Sequence, residues 1–458
     1  MKRSKSQVHC KDRKIPELKF EDQSLTSFSG LVVFQKLFQV LGLKNRLAAC
    51  FQHLKGSRIF GHATIFLQLV IHTVLGYREL RDCGYYADDP LVKRVLGLRC
   101  LPDVATISRA LKEADAQSVE NLRRLLRAMV FERVLGEAVS RVTLDFDGSV
   151  LSTGRFAEGT AVGYNKKKKG ARSYYPLFCT VAQTGQVLDF LHRSGNVHDS
   201  RGAREFIRAC IQAVREALPH VQIEVRMDSA FFSDQIVTAL HAQGIEFTVS
   251  VPFERFAELK RKIEQRRWWH RVNGEVSYFE TCWKPKKWNQ PFRFVFVRSK
   301  ARRQHKEPVQ LDLFIPYQYG YDFKVIVTNK QLKSRALVAF HEGRGSQEGI
   351  FSELKSHCHM GHIPVRTLIG NQIYLLAALF AHNLVHELQM ATAPKQRATT
   401  AKRTALWVFE KLDTLRKTII QRAGRLTRPQ GTLTLTMNAC QAVADRLRQL
   451  LSALQPAA

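Results

Sequence analysis

The sequence predicts a mixed α/β protein, with a β sheet in the middle of the chain and helical regions on either side of it. From Leu31 to about Leu135, apolar residues recur at helical spacing. At Arg141 the period changes to two, because Val142, Leu144 and Phe146 alternate with polar residues. Helical spacing returns after residue 346 and again in the basic C-terminal region. These changes of period separate a central sheet from helical flanks.

The middle of the chain alternates strand and helix patterns. The predicted elements after the first strand are strands at Tyr174–Ala182 and Val187–His192, a helix at Ala203–Ala217, a strand at Ile223–Met227, a helix at Asp234–Ala242 and a strand at Ile245–Val251. Three meandering strands followed by two helix–strand units are typical of a mixed sheet.

Residues 252–335 do not continue this alternation. They contain strand-like runs at Phe292–Val297, Leu311–Ile315 and Phe323–Thr328, together with four of the five tryptophans. We therefore predict a β-rich insertion here. Helical character continues from residue 346 through Leu388, and the tail predicts further elements. These are a helix at Thr404–Ile420, a hairpin around Arg428–Gly431 and a last helix at Ala439–Leu454.

The charge of the chain predicts a polyanionic partner. Lys and Arg number 71 against 40 Asp and Glu, for a net charge of +31 and a pI near 10.1. Because the basic residues are spread along the chain and form no single amphipathic helix, nucleic acid fits better than a membrane surface. The apolar run Ile373–Leu388 is broken by His and Asn, which favours a buried helix. The nine cysteines form no C-x-x-C pair, as in a reduced cytoplasmic protein.

A helix-turn-helix is one interpretation of the N-terminal helical region. A short helical pattern at Asp89–Gly97 is followed by a second, capped near Asp103, that carries Arg109. Such a pair could place Arg109 against DNA. An ordinary helical hairpin is the alternative.

The stretch Phe340–Lys355 places one carboxylate and two cations on one face of a predicted helix. In a helix, Arg344, Glu348 and Lys355 lie close to one line, because residues three, four and seven apart share a face. One interpretation is a solvated, salt-bridged face. The other is a metal-binding carboxylate flanked by two phosphate-binding cations, which requires further carboxylates nearby.

Two aspartates at strand ends could supply them. Asp147 ends the first predicted strand and Asp228 follows the fourth, and the carboxyl ends of parallel neighbours meet where open α/β sheets place their sites. Three converging carboxylates are tenable only with protons or cations among them, and an all-oxygen site fits Mg²⁺. Each Asp taken singly could instead be a turn or cap residue, and Asp145 lies on the same strand face as Asp147.

A zinc site at Ser356–His362 is a further possibility. This run holds three histidines and a cysteine. It lacks a second ligand pair at the usual spacing, so we do not predict zinc there.

Several motifs together resemble one family. His341, Arg344, Glu348 and Lys355 resemble the Y-(2)-R-(3)-E-(6)-K signature of bacterial insertion-sequence transposases of the IS four superfamily, with His in place of Tyr. The other matching segments are Leu144–Ser149, Gly163–Asn165, Ser173–Leu177, Arg193–His198 and Arg226–Phe232. As a set they are most similar to the branch called IS thirteen-eighty.

The resemblance implies an RNase H-like core with a DDE triad, interrupted by a β-strand insertion. The implied organisation is a flexible basic tail (1–25), a helical DNA-binding domain (26–138), the first part of the core (139–251), the β-rich insertion (252–335), the final core helices (336–392) and a basic, mostly helical C-terminal region (393–458). The triad would be Asp147, Asp228 and Glu348, holding two Mg²⁺ ions or Mn²⁺ in their place. Asp147 is preferred to Asp145 because the family's first Asp has a hydroxyl residue two positions later, here Ser149.

The resemblance also implies roles in binding DNA. Arg344 and Lys355 would hold phosphates near the scissile bond, and His341 would donate to a phosphate or stack on a base. The loop Lys166, Lys167, Lys168 and Lys169 would contact phosphate, or is simply solvated. Candidates for stacking on a flipped base are Trp268, Trp269, Trp283 and Trp288. The alternative for these tryptophans is that they fill the core of the insertion.

The activity that the resemblance implies is cut-and-paste transposition. Hydrolysis at the ends of the element would free a 3′-hydroxyl, which then attacks target DNA. The expected partners are double-stranded DNA, as terminal inverted repeats and target, and a second copy of the chain on that DNA, in the bacterial cytoplasm at the nucleoid. The alternatives are a catalytically inert DNA-binding relative and a nuclease of the same fold that performs no strand transfer.

Overall fold

The computed structural model describes residues 15–55, 59–163, 165, 168–197, 201–301, 320–396 and 405–455. Its strands are β1 Leu25–Thr26, β2 Arg141–Gly148, β3 Leu151–Thr153, β4 Ala161–Val162, β5 Arg172–Tyr174, β6 Leu177–Val181, β7 Gln186–Leu191, β8 Gln222–Met227, β9 Glu246–Val251, β10 His270–Arg271, β11 Val276–Trp283, β12 Phe292–Lys300, β13 Tyr321–Thr328, β14 Gly424–Thr427 and β15 Thr434–Met437. Its α-helices are α1 Leu31–Val40, α2 Leu43–Cys50, α3 His62–Leu75, α4 Pro90–Leu96, α5 Val104–Glu113, α6 Ala116–Gly136, α7 Ala203–Ala217, α8 Asp234–Ala242, α9 Ala257–Glu264, α10 Ser334–Glu342, α11 Gly345–Ser356, α12 Leu368–Thr392, α13 Leu412–Leu415 and α14 Gln441–Ala453.

A nine-stranded sheet forms the centre of the molecule, in the order β10-β11-β12-β13-β9-β8-β2-β6-β7. Strands β2, β6 and β7 form the antiparallel meander, and β8 and β9 run parallel to β2. The predicted mixed α/β sheet is confirmed, including the parallel pairing of the first and fourth strands of the core. The predicted strand Tyr174–Ala182 is divided into β5 and β6 at Pro176, which has no N–H for a sheet ladder.

The strands predicted as an insertion belong to the same sheet. Strand β13 pairs antiparallel with β9, with Val325 opposite Val251, and β12, β11 and β10 follow. Residues 252–335 are rich in β strands, as predicted, and β10–β13 extend the core sheet through β9. The physical reason is the open edge of β9, whose backbone groups need partners. The predicted strand Leu311–Ile315 lies outside the described residues.

The two faces of this sheet differ in polarity. One face carries Val142, Leu144 and Phe146 of β2, which join a core with α7 and α8. The opposite face is rich in charged and hydroxyl side chains from β2, β8, β9 and β13, and we call it the polar face. Its members are Arg141, Thr143, Asp145, Asp147, Glu224, Arg226, Asp228, Thr248, Ser250, Glu246, Thr328, Lys330 and Lys324. Helices α10 and α11 lie over this face, because Arg226 donates to the carbonyl of Phe340 and Gln347 donates to that of Asp145.

The helical regions from both sides of the sheet share one apolar core. It combines residues from α1–α6 with residues from α11, α12 and α14. Helix α12 lies in its centre. It is long and apolar enough to cross a membrane, with a mean hydropathy of 1.4, but 83% of that window is buried inside the protein. The prediction of a buried helix at Ile373–Leu388 is confirmed. Strand β1 pairs with β14, so the C-terminal region also contacts the N-terminal one.

Two helix predictions need correction. The helical stretch from residue 346 to Leu388 is two helices, because Pro364 and Gly361 lie in the connection between α11 and α12. The predicted helix Thr404–Ile420 is helical only from Leu412, as α13 and a π-helical turn over Arg416–Ile420. Residues 405–411 form no helix, and Thr404 lies outside the described residues. The predicted hairpin is confirmed as β14 and β15.

Candidate active site

Asp147 and Asp228 lie side by side at the carboxyl ends of two parallel strands. The pairing of β2 with β8 ends at Phe146 opposite Met227, so the two aspartates are the next pair on the polar face. Neighbouring strands lie about 4.8 Å apart, which brings the two backbones within that order of distance. Asp228 also accepts a hydrogen bond from the amide of Ala230 at 3.0 Å. It is therefore a cap residue and a member of the carboxylate pair at once.

Arg344 connects these strand ends to the helix that bears Glu348. Its Nη1 lies 3.1 Å from Oδ2 of Asp147, and its Nη2 lies 3.9 Å from Oε1 of Glu348. Asp147 and Arg344 are largely covered, with side chains 22% and 19% exposed, whereas Glu348 is 71% exposed. The site is therefore closed on the sheet side and open on the side of α11.

The helical stretch that carries Arg344 is interrupted at Gly343 and Arg344. Helix α10 ends at Glu342 and α11 begins at Gly345, and a Cβ on Gly343 would lie 2.4 Å from Nη1 of Arg226. Gly343 thus lets the chain pass directly over the Arg226 guanidinium. The expected common helical face of Arg344, Glu348 and Lys355 lies on α11 and its first flanking residue.

Asp145 occupies a different environment from Asp147. Its two carboxylate oxygens accept hydrogen bonds from Nε and Nη2 of Arg226, each at 2.6 Å, and both side chains are 1% exposed. Such a bidentate, fully buried pair leaves Asp145 without room for a metal ion. Of the two alternatives on this strand, the geometry favours Asp147.

His341 does not join the open site. Its Nδ1 lies 3.0 Å from Oγ1 of Thr248 and its Nε2 lies 2.9 Å from Oγ of Ser250, and the residue is 1% exposed. Burial, followed by the nearby positive charges of Lys324 and Arg344, lowers the pKa of His341 well below its usual value. The expected DNA contact of His341 is wrong for this structure, because α10 directs the imidazole into the sheet.

The tryptophans divide between core and surface. Trp288 stacks on Phe232 at 5.0 Å between ring centroids, and Nε1 of Trp283 donates to Glu258 at 2.7 Å. Both are 8% exposed, so their expected base-stacking role is corrected to a packing role. Trp269 is half-buried against Phe279. Trp268 is 82% exposed and keeps a face free for a base.

The basic candidates lie at three places. Lys355 is exposed in the last turn of α11, on the side of the carboxylates. Lys168 and Lys169 are exposed in their loop, where the amide of Lys168 donates to Asn165 at 3.1 Å. Lys166 and Lys167 lie outside the described residues. Arg109 is exposed on α5, where it borders a cavity together with His62 and Glu113.

No pattern in the sequence identifies Lys324 as a member of this site. It lies on the same face of β13 as Ile326, which packs against Leu337 and Val338 of α10. Desolvation lowers the pKa of Lys324, opposed by Glu342 and Glu348, whose charges act on it. A third cation is therefore near Glu348. Only the pairing of β13 with β9 could have revealed it.

Comparison with known protein families gives the class of this protein. Residues 8–458 match the family described as "Transposase DDE domain group 1", so the chain belongs to that family. No curated protein matches this chain.

Solved transposase complexes are similar at low scores. A piggyBac transposase synaptic complex with hairpin DNA has a TM-score of 0.40 and 10% identity, covering 94% of this chain and 86% of its own. A Mos1 transposase paired-end complex with left transposon end has a TM-score of 0.19 and 9% identity. The match covers 43% of this chain and 60% of the Mos1 chain. A Mos1 mariner paired-end complex with Mn has a TM-score of 0.17 and 11% identity, with the same coverages. The family assignment rests on the family match alone.

Proposed function

We propose that this protein cuts double-stranded DNA at the ends of an insertion sequence and joins the freed 3′-hydroxyl to target DNA. The observation that carries the proposal is the position of Arg344, whose guanidinium contacts Asp147 and approaches Glu348, beside the strand end that bears Asp228. The proposal places the catalytic triad at these three carboxylates. Helix α11, which carries Lys355 in its last turn, presents the same face to solvent, where a DNA backbone can approach.

The donor set fits divalent magnesium. Three neighbouring carboxylates repel one another, and one or two hard cations among them would offset this repulsion. Asp147, Asp228 and Glu348 offer only oxygen atoms, the ligands that Mg²⁺ prefers and that Mn²⁺ also accepts. When bound, such ions activate water and stabilise the oxygens of an in-line phosphoryl transfer.

The chain itself supplies positioning. Arg344 holds Asp147 in place and presents further N–H donors that suit a bidentate contact with a phosphate. Lys355 and Lys324 add point charges on either side of Glu348, and the lysine loop at residues 166–169 would contact phosphates further along the duplex. Arg109, if α4 and α5 act as a helix-turn-helix, would contact DNA away from the cut.

The finer classification follows the motifs. We assign the chain to the IS four superfamily and its IS thirteen-eighty branch, with an RNase H-like core over 139–251 and 336–392. Two copies are proposed to act on paired inverted repeats in the bacterial cytoplasm. His341, which replaces the Tyr of the signature, serves packing in this assignment.

A hairpin at the DNA end would require a stacking surface for a flipped base, and Trp268 is the exposed candidate. Replacing Trp268 by Ala should weaken hairpin formation in gel assays of cleaved ends. Trp269→Ala serves as the comparison, because that ring is half-buried. Unchanged hairpin yields in Trp268→Ala would remove this residue from the mechanism.

The decisive assay combines purified protein, Mg²⁺ and a DNA end from the flanking inverted repeat. Cleavage with joining supports the transposase, cleavage alone indicates a nuclease, and binding alone indicates the inert relative. Glu348→Gln should abolish cleavage and leave DNA binding intact, because it removes a ligand charge from an exposed position. Persistent cleavage by Glu348→Gln would overturn the triad.

A further inference from the structure

A second cluster of metal-ligating side chains lies on the inner side of α11. It consists of Glu353 on α11 and of His382 and His386 on α12. Their ligand atoms all lie within 4.8 Å of one another, and Nε2 of His386 is 3.9 Å from Oε2 of Glu353. His382 and His386 are 1% and 2% exposed. These three residues belong neither to the carboxylate site nor to the run Ser356–His362 that was considered for zinc.

Each imidazole has one ring nitrogen close to a backbone carbonyl oxygen, and this contact determines which ring nitrogen carries hydrogen. Nε2 of His382 lies 3.1 Å from the carbonyl oxygen of Gly185, and Nδ1 of His386 lies 3.1 Å from that of Thr184. A carbonyl oxygen can only accept, so both of these ring nitrogens carry hydrogen. In the neutral imidazoles, Nδ1 of His382 and Nε2 of His386 are then bare lone pairs.

Those two inward nitrogens have no hydrogen-bond partner within the part of the chain that the structure describes. Two buried lone pairs and a carboxylate facing one another repel, and buried polar atoms without partners carry a free-energy cost of about 1–3 kcal/mol each. A cation at the centre would satisfy all three. An imidazole whose outer N–H donates to a backbone carbonyl is also the arrangement that orients histidine ligands in metal sites.

We propose that Glu353, His382 and His386 bind one Zn²⁺ ion, with a water molecule as the fourth ligand. Two ligand atoms of a tetrahedral zinc lie roughly 3.4 Å apart, so the 3.9 Å between His386 and Glu353 needs only a small contraction. Two histidines four residues apart on one helix face, completed by a carboxylate, are a ligand set that zinc accepts. Phe409 stacks on His386 at 3.8 Å between centroids, which covers the site from one side.

Zinc at this site would hold α11, the helix that bears Glu348, in position against α12. Glu353 lies five residues after Glu348 on α11, while α12 is the central helix of the helical core. The ion would therefore join α11 to α12 and to the turn at Thr184 and Gly185. Magnesium at the carboxylate cluster and zinc at this site are separate, since no ligand is shared.

The test measures metal in the full-length protein, purified without a histidine tag. Mass spectrometry of the metal content should find about one zinc per chain, and zinc added back after chelation should raise the melting temperature. Co²⁺ in place of zinc should give the visible absorption of a tetrahedral site. His386→Ala should weaken zinc binding at least about tenfold, and the milder Glu353→Gln guards against misfolding of the first variant.

Three control variants make the result specific. Glu348→Gln should keep its zinc, which separates this site from the catalytic one. His357→Ala, in the neighbouring histidine run, and the exposed His220→Ala should also keep it. Absence of zinc from protein expressed with ample zinc, or no stabilisation of the chelated protein on zinc addition, overturns the proposal in favour of a proton shared between His386 and Glu353. Zinc retained by both Glu353→Gln and His386→Ala also overturns it.

Discussion

The two ends of β2 and β8 on the polar face differ in how their charges are paired. At the amino ends, Lys330 contacts both Glu224 and Glu246, and Nη1 of Arg141 lies 2.7 and 2.8 Å from the same two carboxylates. Two acids and two bases cancel there. At the carboxyl ends, Arg344 contacts Asp147 and approaches Glu348, whose side chain is 71% exposed. One end is a compact set of ion pairs, and the other carries a carboxylate that is open to solvent.

The middle of the face explains how both ends coexist. The buried pair of Asp145 and Arg226 lies between them and joins the sheet to α10 through the carbonyl of Phe340. Charges that are fully paired and buried hold the structure together, since removing one partner leaves an uncompensated charge. A carboxylate exposed at the edge of the sheet, such as Glu348, is available for cations and substrate. The same residue types therefore serve stability at one end and chemistry at the other.

The sharpest test of this comparison is Asp147→Asn. Removing one carboxylate charge from the open end should lower DNA cleavage by about 10³-fold or more, because metal-ion stabilisation amounts to several kcal/mol. Thermal stability should stay close to that of the unmodified protein. Asp322→Asn, at an exposed position of β13, is the control and should cleave normally. If Asp147→Asn cleaves DNA at a rate within tenfold of normal, the Asp147 carboxylate has no catalytic role.

The closed middle should respond in the opposite way. Arg226→Met leaves Asp145 buried without its partner, and we expect the free energy of unfolding to fall by about 3–5 kcal/mol in urea titrations. Adding Asp145→Leu should recover most of the loss, because an apolar pair of similar volume replaces the ion pair. Arg344→Met should change the stability by less than about 1 kcal/mol. Equal losses from Arg226→Met and Arg344→Met would erase the distinction between the two aspartates.

A smaller effect should come from changing the shape of the cation at the open end. Arg344→Lys keeps the charge but removes the planar fork that reaches Asp147 and a phosphate together. Cleavage rates should fall about 10- to 100-fold, equivalent to a hydrogen bond to a charged group of roughly 1.5–3 kcal/mol. Single-turnover kinetics at saturating DNA would measure it. A rate equal to that of the unmodified protein would mean that Arg344 contributes charge alone.

The smallest expected effect is the pH dependence of the free energy of unfolding that comes from the ion pairs at the amino ends of β2 and β8. Burial acts to raise the pKa of Glu246, but Lys330 and Arg141 outweigh it and lower the pKa below its usual 4.5. The stability from this group is thus complete above about pH 4.5 and is lost as the pH falls towards the folded-state pKa. Urea unfolding should show that Glu246→Gln is less stable by about 1 kcal/mol at pH 7 and that the difference shrinks below pH 4.5. A difference that is constant across this range would contradict the assignment.

Local patterns predicted the sheet and the two aspartates. The alternation of Val142, Leu144 and Phe146 is enough to place one face of β2 in a core, and the helix α7 has the predicted bounds. The spacing of Glu348 from Arg344 and Lys355 left two interpretations open, and the family resemblance favoured the metal ligand. These features depend on residues that are close in the chain.

Features that depend on distant pairing could not be predicted in this way. Lys330 and Lys324 reach the polar face only because β13 pairs with β9, across a stretch of mixed character. The burial of His341 depends on hydroxyls of β9 that lie about ninety residues earlier. In α12, His382 and His386 looked like interruptions of an apolar run, and only the position of Glu353 gives them a common purpose.

The charges of the polar face also determine how β2 and β8 align. In the observed alignment Asp145 lies opposite Arg226 and Thr143 lies opposite Glu224. A shift of two residues in one direction would set Asp145 against Glu224, and in the other it would set Asp145 against Asp228. A shift of one residue would turn the whole row towards the apolar core. These charge pairs therefore favour the observed strand register over the shifted ones. The observed register is also the one that places Asp147 beside Asp228.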